Sequence, residues 1–280
     1  MNGAFYISII RPVNAIVAGL AGILAAVIAT GAIPVESGFI FLIVMLVTSA
    51  GNVINDYYDR EIDAINQPER PIPSGHISPH QALVYAILLF LSGNVLAFIF
   101  TPLPLVCITL FNTIILWQYA AYLKVTPLFG NISVSYLAAS IFPFGGAIMG
   151  IPGIISVLPI AGATFGVMLA RELIKDAEDM PGDKEHGART FPLLYGIRAT
   201  LYLALVSTLA GIGVSLLLVG KWGIPYLIAI IIIDIFILYG VVSGMRAKNS
   251  DEIIQAKSSG KLKIGMFASL LVFLGSAILL

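Results

Sequence analysis

Long apolar segments recur along the chain and dominate what it can fold into. Several exceed the roughly 18 residues that indicate a membrane span, and 59% of the 280 residues are hydrophobic while 11% are charged. Only helices pair their own backbone groups over such lengths in lipid, and the sequence lacks the alternating pattern of a membrane β-barrel. The sequence therefore predicts an all-α, polytopic membrane protein. We expect nine spans, near residues 12–31, 38–58, 80–100, 103–122, 131–150, 153–175, 197–219, 223–246 and 261–280.

The polar connections between these segments predict the orientation. With nine spans, the connections alternate between one side with long polar loops and another side with short links. Of the fifteen Lys and Arg residues, only Lys221 falls on the side with short links. Because basic residues collect in cytoplasmic loops, we expect the long loops and the N-terminus on the cytoplasmic side of the cell membrane and the C-terminus on the outer side.

Composition excludes several classes of function. The net charge is zero and the basic residues are scattered through the loops, so the electrostatic footprint of a nucleic-acid-binding protein is missing. The single cysteine, Cys107, excludes an internal disulfide framework and a cysteine-based zinc cage.

Acidic residues concentrate in two places that match in register. Eleven of the fifteen fall within 56–69 or 172–185, and each cluster is followed by a basic loop with proline. Equivalent positions are 120 residues apart: Asn52 with Glu172, Asp56 with Asp176, Asp59 with Asp179, and Asp63 with Asp183. We interpret this as a duplicated four-helix unit inside one membrane domain of residues 1–280. The parallel pseudo-repeats cover about 1–125 and 126–246, and the helix at 261–280 is left over.

The spacing within each cluster places its oxygen atoms on one helical face. Positions i, i+4, i+7 and i+11 line such a face, and we expect the second helix to break at Pro181 and Gly182. Like charges about 4 Å apart repel by roughly 4 kcal/mol at an effective dielectric of 20, so a cation is needed. Oxygen ligands favour Mg²⁺ shared with substrate phosphates. Zinc is not expected, because the three histidines are isolated in loops: His76, His80 and His186.

Two alternatives remain open at this level. The acids could be solvated helix ends, although two clusters in matching register favour the metal interpretation. Cations in the same loops would complement phosphate groups: Arg60, Arg70, Lys124, Arg171, Lys175, Lys184 and Arg189. Lys184 and Arg198 could instead be basic loop residues that set the orientation of the spans. Arg60 and Arg171 could pair with the acids beside them.

The acidic motifs resemble those of a known family. "NDYYDREID" resembles the NDxxDxxxD motif of the UbiA superfamily of intramembrane prenyltransferases, and "RELIKDAEDMPGD" resembles its second aspartate-rich motif. The similarity covers nearly the whole chain and includes the loop "INQPERPIPSGHIS". Within the superfamily, the length and loops are most similar to the archaeal branch that prenylates geranylgeranylglyceryl phosphate. Chlorophyll synthases share a very similar first loop.

The resemblance implies a horseshoe of nine helices around a lipid-open cavity and two Mg²⁺ ions that bridge a diphosphate. The implied metal ligands are Asn52, Asp56, Asp59, Glu172, Asp176 and Asp179, supported from the loops by Asp63 and Asp183. Glu172 stands where the family commonly has Asp. Lys124 is the implied diphosphate ligand. The family's tyrosine position holds Ala120, so Tyr119 or Tyr122 assists instead.

The implied activity joins an isoprenyl diphosphate donor to a lipid-like acceptor, geranylgeranylglyceryl phosphate, through an ether. Asp56, Asp59, Asp176, Asp179 and Lys124 are then the catalytic residues. Phosphate-binding candidates are Arg60, Arg70, Arg171, Lys175 and Arg189.

Other functions are weighed against this one. An aromatic or chlorin acceptor is the first alternative. A divalent-cation or phosphate-compound transporter is less favoured, because the acids lie at one end of the spans and the mid-span Asp234 has Ile114 as its repeat counterpart. Asp234 itself fits either acceptor contact or a hydrogen-bonded structural acid. The DG-x-x-AR signature of CDP-alcohol phosphotransferases is absent from the sequence.

Overall fold

The computed structural model describes residues 3–185 and 187–280, so His186, one of the predicted isolated histidines, lies outside the described residues. Within those ranges all regular elements are helical, which confirms the all-α prediction. The α-helices are α1 (Gly3–Ile9), α2 (Pro12–Thr30), α3 (Ser37–Asn66), α4 (Pro79–Phe100), α5 (Leu103–Ala121), α6 (Phe129–Gly146), α7 (Gly150–Glu185), α8 (Phe191–Ser215), α9 (Val219–Gly244), α10 (Ser250–Ala256) and α11 (Ser258–Leu279).

Seven helical stretches among the described residues are long and apolar enough to cross a membrane. Five coincide with α2, α3, α4, α5 and the α10–α11 segment. The other two, 129–184 and 191–244, contain 56 and 54 residues and hold two predicted spans each. A straight helix rises about 1.5 Å per residue and the hydrocarbon core is roughly 30 Å thick, so each of these two stretches is more than twice as long as one crossing needs.

Both long stretches are interrupted by a short 3₁₀ turn followed by a glycine with positive φ. The turns are Ala147–Met149 and Leu216–Leu218, and the glycines are Gly150 (φ 69°) and Gly223 (φ 68°). Ile-Pro follows each glycine. Glycine adopts positive φ without the Cβ clash of other residues, and proline is well suited to the first turn of the next helix.

The chain forms two compact units. The first comprises Met1–Tyr122 and Pro143–Ile154, and the second comprises Leu123–Phe142 and Ile155–Leu280. The tip of the α6–α7 hairpin belongs to the first unit, where Ala147 and Phe144 pack with Ala26 and Ile43. The single domain and its pseudo-repeat boundaries stay predictions.

In the first unit, an apolar core lies at the polar end of α3. Val53 and Ile54 of α3 pack there with Ile9 of α1 and with Ile72 and Ile77 of the loop after α3. The N-terminal helix and this loop are therefore held beside the predicted acidic column.

In the second unit, one face of α7 packs against α8, α9, α10 and α11. Leu173, Ile174 and Ala177 of α7 are fully buried in this core. Successive helical positions are 100° apart, so the acidic positions near 172, 176 and 179 project from the opposite side of α7.

Close backbone contact fixes how α7 and α8 pack. A Cβ atom on Gly211 of α8 would lie 2.9 Å from the carbonyl oxygen of Ala163, and one on Gly166 of α7 would lie 2.6 Å from the carbonyl oxygen of Ser207. Small residues allow helices in membranes to approach this closely.

We predict that Gly211→Ala destabilises the protein by about 1–3 kcal/mol, because the methyl group must displace backbone. Gly213→Ala is the matched control, since a Cβ on Gly213 of the same helix meets no atom within 4 Å. Thermal unfolding of both variants in detergent checks the prediction. Equal melting temperatures would contradict the close packing of α7 and α8.

Candidate active site

The first acidic column is buried and bound by arginine within its own unit. Asp56 and Asp63 of α3 are each 4% exposed. Nη1 of Arg70 lies 2.7 Å from Oδ2 of Asp63 and 3.5 Å from Oδ1 of Asp56. The two aspartates are seven residues apart and one guanidinium reaches both, so they share a helical face as the spacing predicted. The structure places Asp63 inside α3, so the expectation that it acts from a loop is wrong.

Arg11 also contacts this column, and sequence reasoning missed it. Its Nη2 lies 2.5 Å from Oδ1 of Asp56. Arg11 precedes Pro12 and has φ 51°, a left-handed conformation that costs an ordinary residue about 1–2 kcal/mol. Nearby, Nδ2 of Asn52 donates to the Ile10 carbonyl at 2.9 Å, which ties α3 to the same segment. A lone arginine before a span resembles a topology anchor, and the partner is 45 residues away, so the sequence carries no local signal for this contact.

Other predicted residues of the first unit have their own contacts and exposures. Asp59 accepts a hydrogen bond of 2.8 Å from Nδ2 of Asn55. Arg60 donates to the Tyr57 carbonyl at 2.9 Å and pairs with Glu61 at 3.4 Å, so it follows the alternative of a local ion pair. Tyr119 is half-buried on α5, and Tyr122 is exposed. The loop histidine His76 stacks on Phe5 with ring centroids 3.7 Å apart.

The second acidic column has a different neighbour. Nδ2 of Asn131, on α6, donates to Oδ2 of Asp176 at 2.8 Å, and Asn131 is 7% exposed. Arg171 forms an ion pair with the adjacent Glu172, the local pairing that the sequence left open.

Asp179 is exposed and Asp183 is half-buried within α7, so the expectation that Asp183 acts from a loop is also wrong. Asn131 was not predicted, because an asparagine in an apolar helix has no motif around it.

The predicted cations of the second unit lie at the polar ends of helices. Lys124 occupies the 3₁₀ turn Leu123–Val125. A Cβ on Gly130 would lie 2.9 Å from the carbonyl oxygen of Leu123, so this glycine lets α6 pack against the turn that carries Lys124. Lys175, Lys184 and Arg189 are exposed.

The predicted helix break at Pro181 and Gly182 is wrong, because α7 continues to Glu185. Proline has no N–H to donate to the carbonyl four residues earlier, which here is that of Ala177. The hydroxyl of Ser250 donates to this carbonyl oxygen at 2.8 Å. Ser259 also donates from its hydroxyl to Glu178 at 2.6 Å. The segments around α10 and α11 thus supply the partner that proline removes, and they hold the acidic end of α7.

The donor set fits a hard divalent cation. Both columns offer carboxylate oxygens, which Mg²⁺ prefers. Within the described residues, no three carboxylate, imidazole or thiol groups converge closely enough to hold a metal ion. In the first column, arginine groups contact oxygen atoms of Asp56 and Asp63.

Comparison with known proteins decides the family. Residues 14–271 match the model of the UbiA prenyltransferase family. The chain belongs to the UbiA prenyltransferase family. The resemblance inferred from the acidic motifs is therefore confirmed, and this UbiA chain is a multi-pass membrane protein.

Individual relatives of this UbiA chain are similar over the full length. The digeranylgeranylglyceryl phosphate synthase of Methanospirillum hungatei is 72% identical, with 100% of both chains covered. A solved structure from work on digeranylgeranylglyceryl phosphate synthase in membranes is 34% identical, with a TM-score of 0.89 and 99% of each chain covered. A UbiA homolog from Archaeoglobus fulgidus bound to GPP and Mg²⁺ shares the fold, with a TM-score of 0.68 at 18% identity over 96% of this chain and 99% of that chain.

We predict that Ser250→Ala destabilises the UbiA chain by about 1–3 kcal/mol, because the buried Ala177 carbonyl loses its partner. Pro181→Ala restores a backbone N–H at the position that normally pairs with this carbonyl. The double variant should therefore recover most of the loss, as measured by thermal unfolding in detergent. A double variant no more stable than Ser250→Ala alone would contradict this account.

Proposed function

We propose that the chain is a digeranylgeranylglyceryl phosphate synthase. It transfers a geranylgeranyl group from the diphosphate to the hydroxyl of geranylgeranylglyceryl phosphate. The observation that carries the proposal is the 72% identity, over the entire length, to a relative of that name. Two carboxylate columns in matching register support it. They can hold cations, which an allylic diphosphate needs for its binding and for the departure of its diphosphate group.

We propose that two Mg²⁺ ions are held by the acidic columns. The donors are Asn52, Asp56 and Asp59 of α3 with Glu172, Asp176 and Asp179 of α7, and Asp63 and Asp183 support them. When bound, the ions neutralise charge that develops on the diphosphate oxygens. The likeness to the Archaeoglobus fulgidus structure bound to GPP and Mg²⁺ agrees with this cofactor.

The chain's own cations bind the substrate's phosphate groups. Arg70 already lies among the carboxylates of α3, and its planar guanidinium group suits the oxygen atoms of a phosphate. Lys124, in its tight turn, contributes a point charge to the diphosphate, and Tyr119 or Tyr122 assists there. Four more cations are candidates for the phosphates of donor and acceptor: Arg60, Arg171, Lys175 and Arg189.

The reaction exchanges one C–O bond for another. The bond between the allylic carbon and the diphosphate oxygen breaks, and the diphosphate leaves with the bonding electrons. The acceptor's hydroxyl oxygen then bonds to the allylic carbon and its proton passes to the released diphosphate, which leaves the ether. Apolar surroundings exclude water, which would otherwise capture the allylic carbon.

We predict that Asp176→Asn and Asp56→Asn each lower kcat by about a hundredfold or more, because the diphosphate loses cation support. Glu178→Gln is the matched control on α7, since Glu178 faces Ser259 rather than the column. The assay supplies labelled geranylgeranyl diphosphate and Mg²⁺, with geranylgeranylglyceryl phosphate or 4-hydroxybenzoate as acceptor.

An EDTA-sensitive diether from the first acceptor supports the proposal. An aromatic product would move the chain to the quinone branch of the family. Absence of diphosphate release with either acceptor would overturn the proposed activity and return attention to the transporter alternative.

We further propose nine crossings, with the 129–184 and 191–244 stretches each crossing twice. The interruptions at Gly150 and Gly223 support this, because the backbone of each glycine departs from helical geometry. The long basic loops then face the cytoplasm, with the N-terminus inside and the C-terminus outside. The horseshoe arrangement of the helices stays a prediction.

Single-cysteine labelling tests the orientation in a Cys107→Ser background. We predict that a membrane-impermeant maleimide labels Gly220→Cys from outside intact cells, whereas Lys248→Cys reacts only after permeabilisation. Both positions are exposed, so reactivity reports sidedness. Labelling of both positions from the same side would contradict the double crossing of residues 191–244.

A further inference from the structure

The loop that follows α3 is held by hydrogen bonds between its own residues. The N–H of Arg70 donates to the Gln67 carbonyl at 3.0 Å, and the carbonyl of Arg70 accepts from the Ser74 N–H at 3.0 Å. The hydroxyl of Ser74 donates to the same Arg70 carbonyl at 2.7 Å. The Ile77 N–H donates to the Pro71 carbonyl at 2.9 Å, which closes the loop. The main chain at Arg70 is therefore fixed on both sides.

His76 connects this loop to the N-terminal helix. Its Nδ1 atom lies 2.7 Å from the hydroxyl oxygen of Ser74. Its ring stacks on Phe5 of α1, with ring centroids 3.7 Å apart and ring planes inclined by 23°. Ile9, at the end of α1, is buried in the apolar core that also holds the loop. Although His76 is exposed, its ring is thus held between α1 and the loop that carries Arg70.

The direction of these hydrogen bonds follows from the number of protons. A serine hydroxyl has one proton to donate, and a backbone carbonyl can only accept. Because the Ser74 hydroxyl donates to the Arg70 carbonyl, it accepts from His76, so Nδ1 of His76 carries a proton. This donor exists in the neutral Nδ1–H tautomer and in the imidazolium ion alike. We call the hydrogen bonds from His76 to Ser74 and from Ser74 to Arg70 the loop network.

The guanidinium group of Arg70 depends on where its backbone is held. One nitrogen atom, Nη1, reaches both Asp63 at 2.7 Å and Asp56 at 3.5 Å. Both carboxylates are buried, and a buried carboxylate without its cation is costly. Hydrogen bonds weaken steeply once their geometry departs from the ideal, so a shift of the Arg70 backbone would weaken both contacts.

We propose that His76 is a positioning residue, which fixes Arg70 for the substrate's diphosphate through the loop network. It acts through Ser74 and the Arg70 backbone and makes no substrate contact itself. The stack on Phe5 holds the imidazole ring in the orientation that Ser74 requires. This inference rests on the proposed function, in which Arg70 binds phosphate. A guanidinium group that is already in place loses less entropy when the diphosphate binds, so the affinity is higher.

The first measurement is the rate at which phenylglyoxal modifies Arg70 in the purified full chain, followed by mass spectrometry of its peptides. The reagent attacks guanidinium groups, and the side chain of Arg70 is 23% exposed. His76→Phe keeps a ring for Phe5 but has no donor for Ser74. We expect it to speed up the modification of Arg70 by about threefold or more, because the loop opens more often. The exposed Arg246 is the internal reference and should react at the wild-type rate.

Two further variants separate positioning from a general loss of stability. His76→Asn places an amide N–H near the position of Nδ1–H, so Arg70 should react within about twofold of the wild-type rate. Ser74→Ala removes the next link of the loop network and should also speed up the reaction. Adding His76→Phe to Ser74→Ala should change nothing more, because both act through the same contacts. Additive effects, or a His76→Asn variant as reactive as His76→Phe, would overturn the proposal.

Steady-state kinetics test the consequence for phosphate binding. His76→Phe should raise the KM for geranylgeranyl diphosphate by about threefold to tenfold and leave kcat within about twofold, because a contact to the bound diphosphate is weakened. A loss of stability alone would lower the amount of active enzyme, and with it the apparent kcat, at unchanged KM. That second result would refute the positioning role.

His80→Phe is the matched control for the new ring. His80 is exposed at the start of α4, close in sequence to the loop. It should leave both the modification of Arg70 and the KM unchanged. If it altered them as His76→Phe does, the effect would not depend on the loop network and the proposal would fail. Thermal unfolding in detergent selects the folded variants for all of these measurements.

The inference and the proposed function fail in distinguishable ways. Modification of Arg70 needs neither prenyl donor nor acceptor. If no diether forms but His76→Phe still makes Arg70 more reactive, the loop network is supported and the proposed function fails. If the diether forms and neither the modification rate nor the KM responds to His76→Phe, the proposed function stands and the positioning role is refuted.

Discussion

Burial of carboxylates at the polar ends of membrane helices is the constraint on which both units depend. An ionised carboxylate taken out of water costs several kcal/mol unless hydrogen bonds or opposite charges compensate it. The first unit compensates Asp56 and Asp63 with two arginines from separate segments. The second unit compensates Asp176 with the amide of Asn131. The segments that carry these partners must therefore be held precisely.

Much of the remaining structure serves to hold those segments. Ile9 of α1 and Ile72 and Ile77 of the following loop share one core with α3, which keeps Arg11 and Arg70 beside the first column. In the second unit, α10 contributes Ser250 to the carbonyl that Pro181 leaves without a partner. This hydrogen bond allows α7 to remain helical through its acidic end and to carry Asp179 and Asp183 in register.

The two acidic columns match in register along the sequence, but the groups that bind Asp56 and Asp176 differ in charge. Membership of the UbiA prenyltransferase family agrees with the acidic motifs of both columns. It does not require the two columns to hold equal charge. Arg11 in the first unit and Asn131 in the second each donate a side-chain hydrogen bond to an aspartate 45 residues later, so the two aspartates have partners of different charge.

The sequence by itself determined the helical class, the family and the helical face of each acidic column. The length of the apolar segments and the i, i+4, i+7 spacing of the acids are local properties, so they can be recognised without knowledge of packing. Local reasoning was wrong at Pro181, where it predicted a break, and at Asp63 and Asp183, which it placed in loops. It also missed Arg11 and Asn131 altogether. The continued helix at Pro181 and the contacts of Arg11 and Asn131 share one cause: each depends on a partner tens of residues away along the chain, at 45 residues for the two aspartate contacts and 73 for Ser250 with Ala177. Only tertiary packing brings such partners together, and that packing decides which carboxylate meets a cation, which meets an amide, and where a helix can continue past proline.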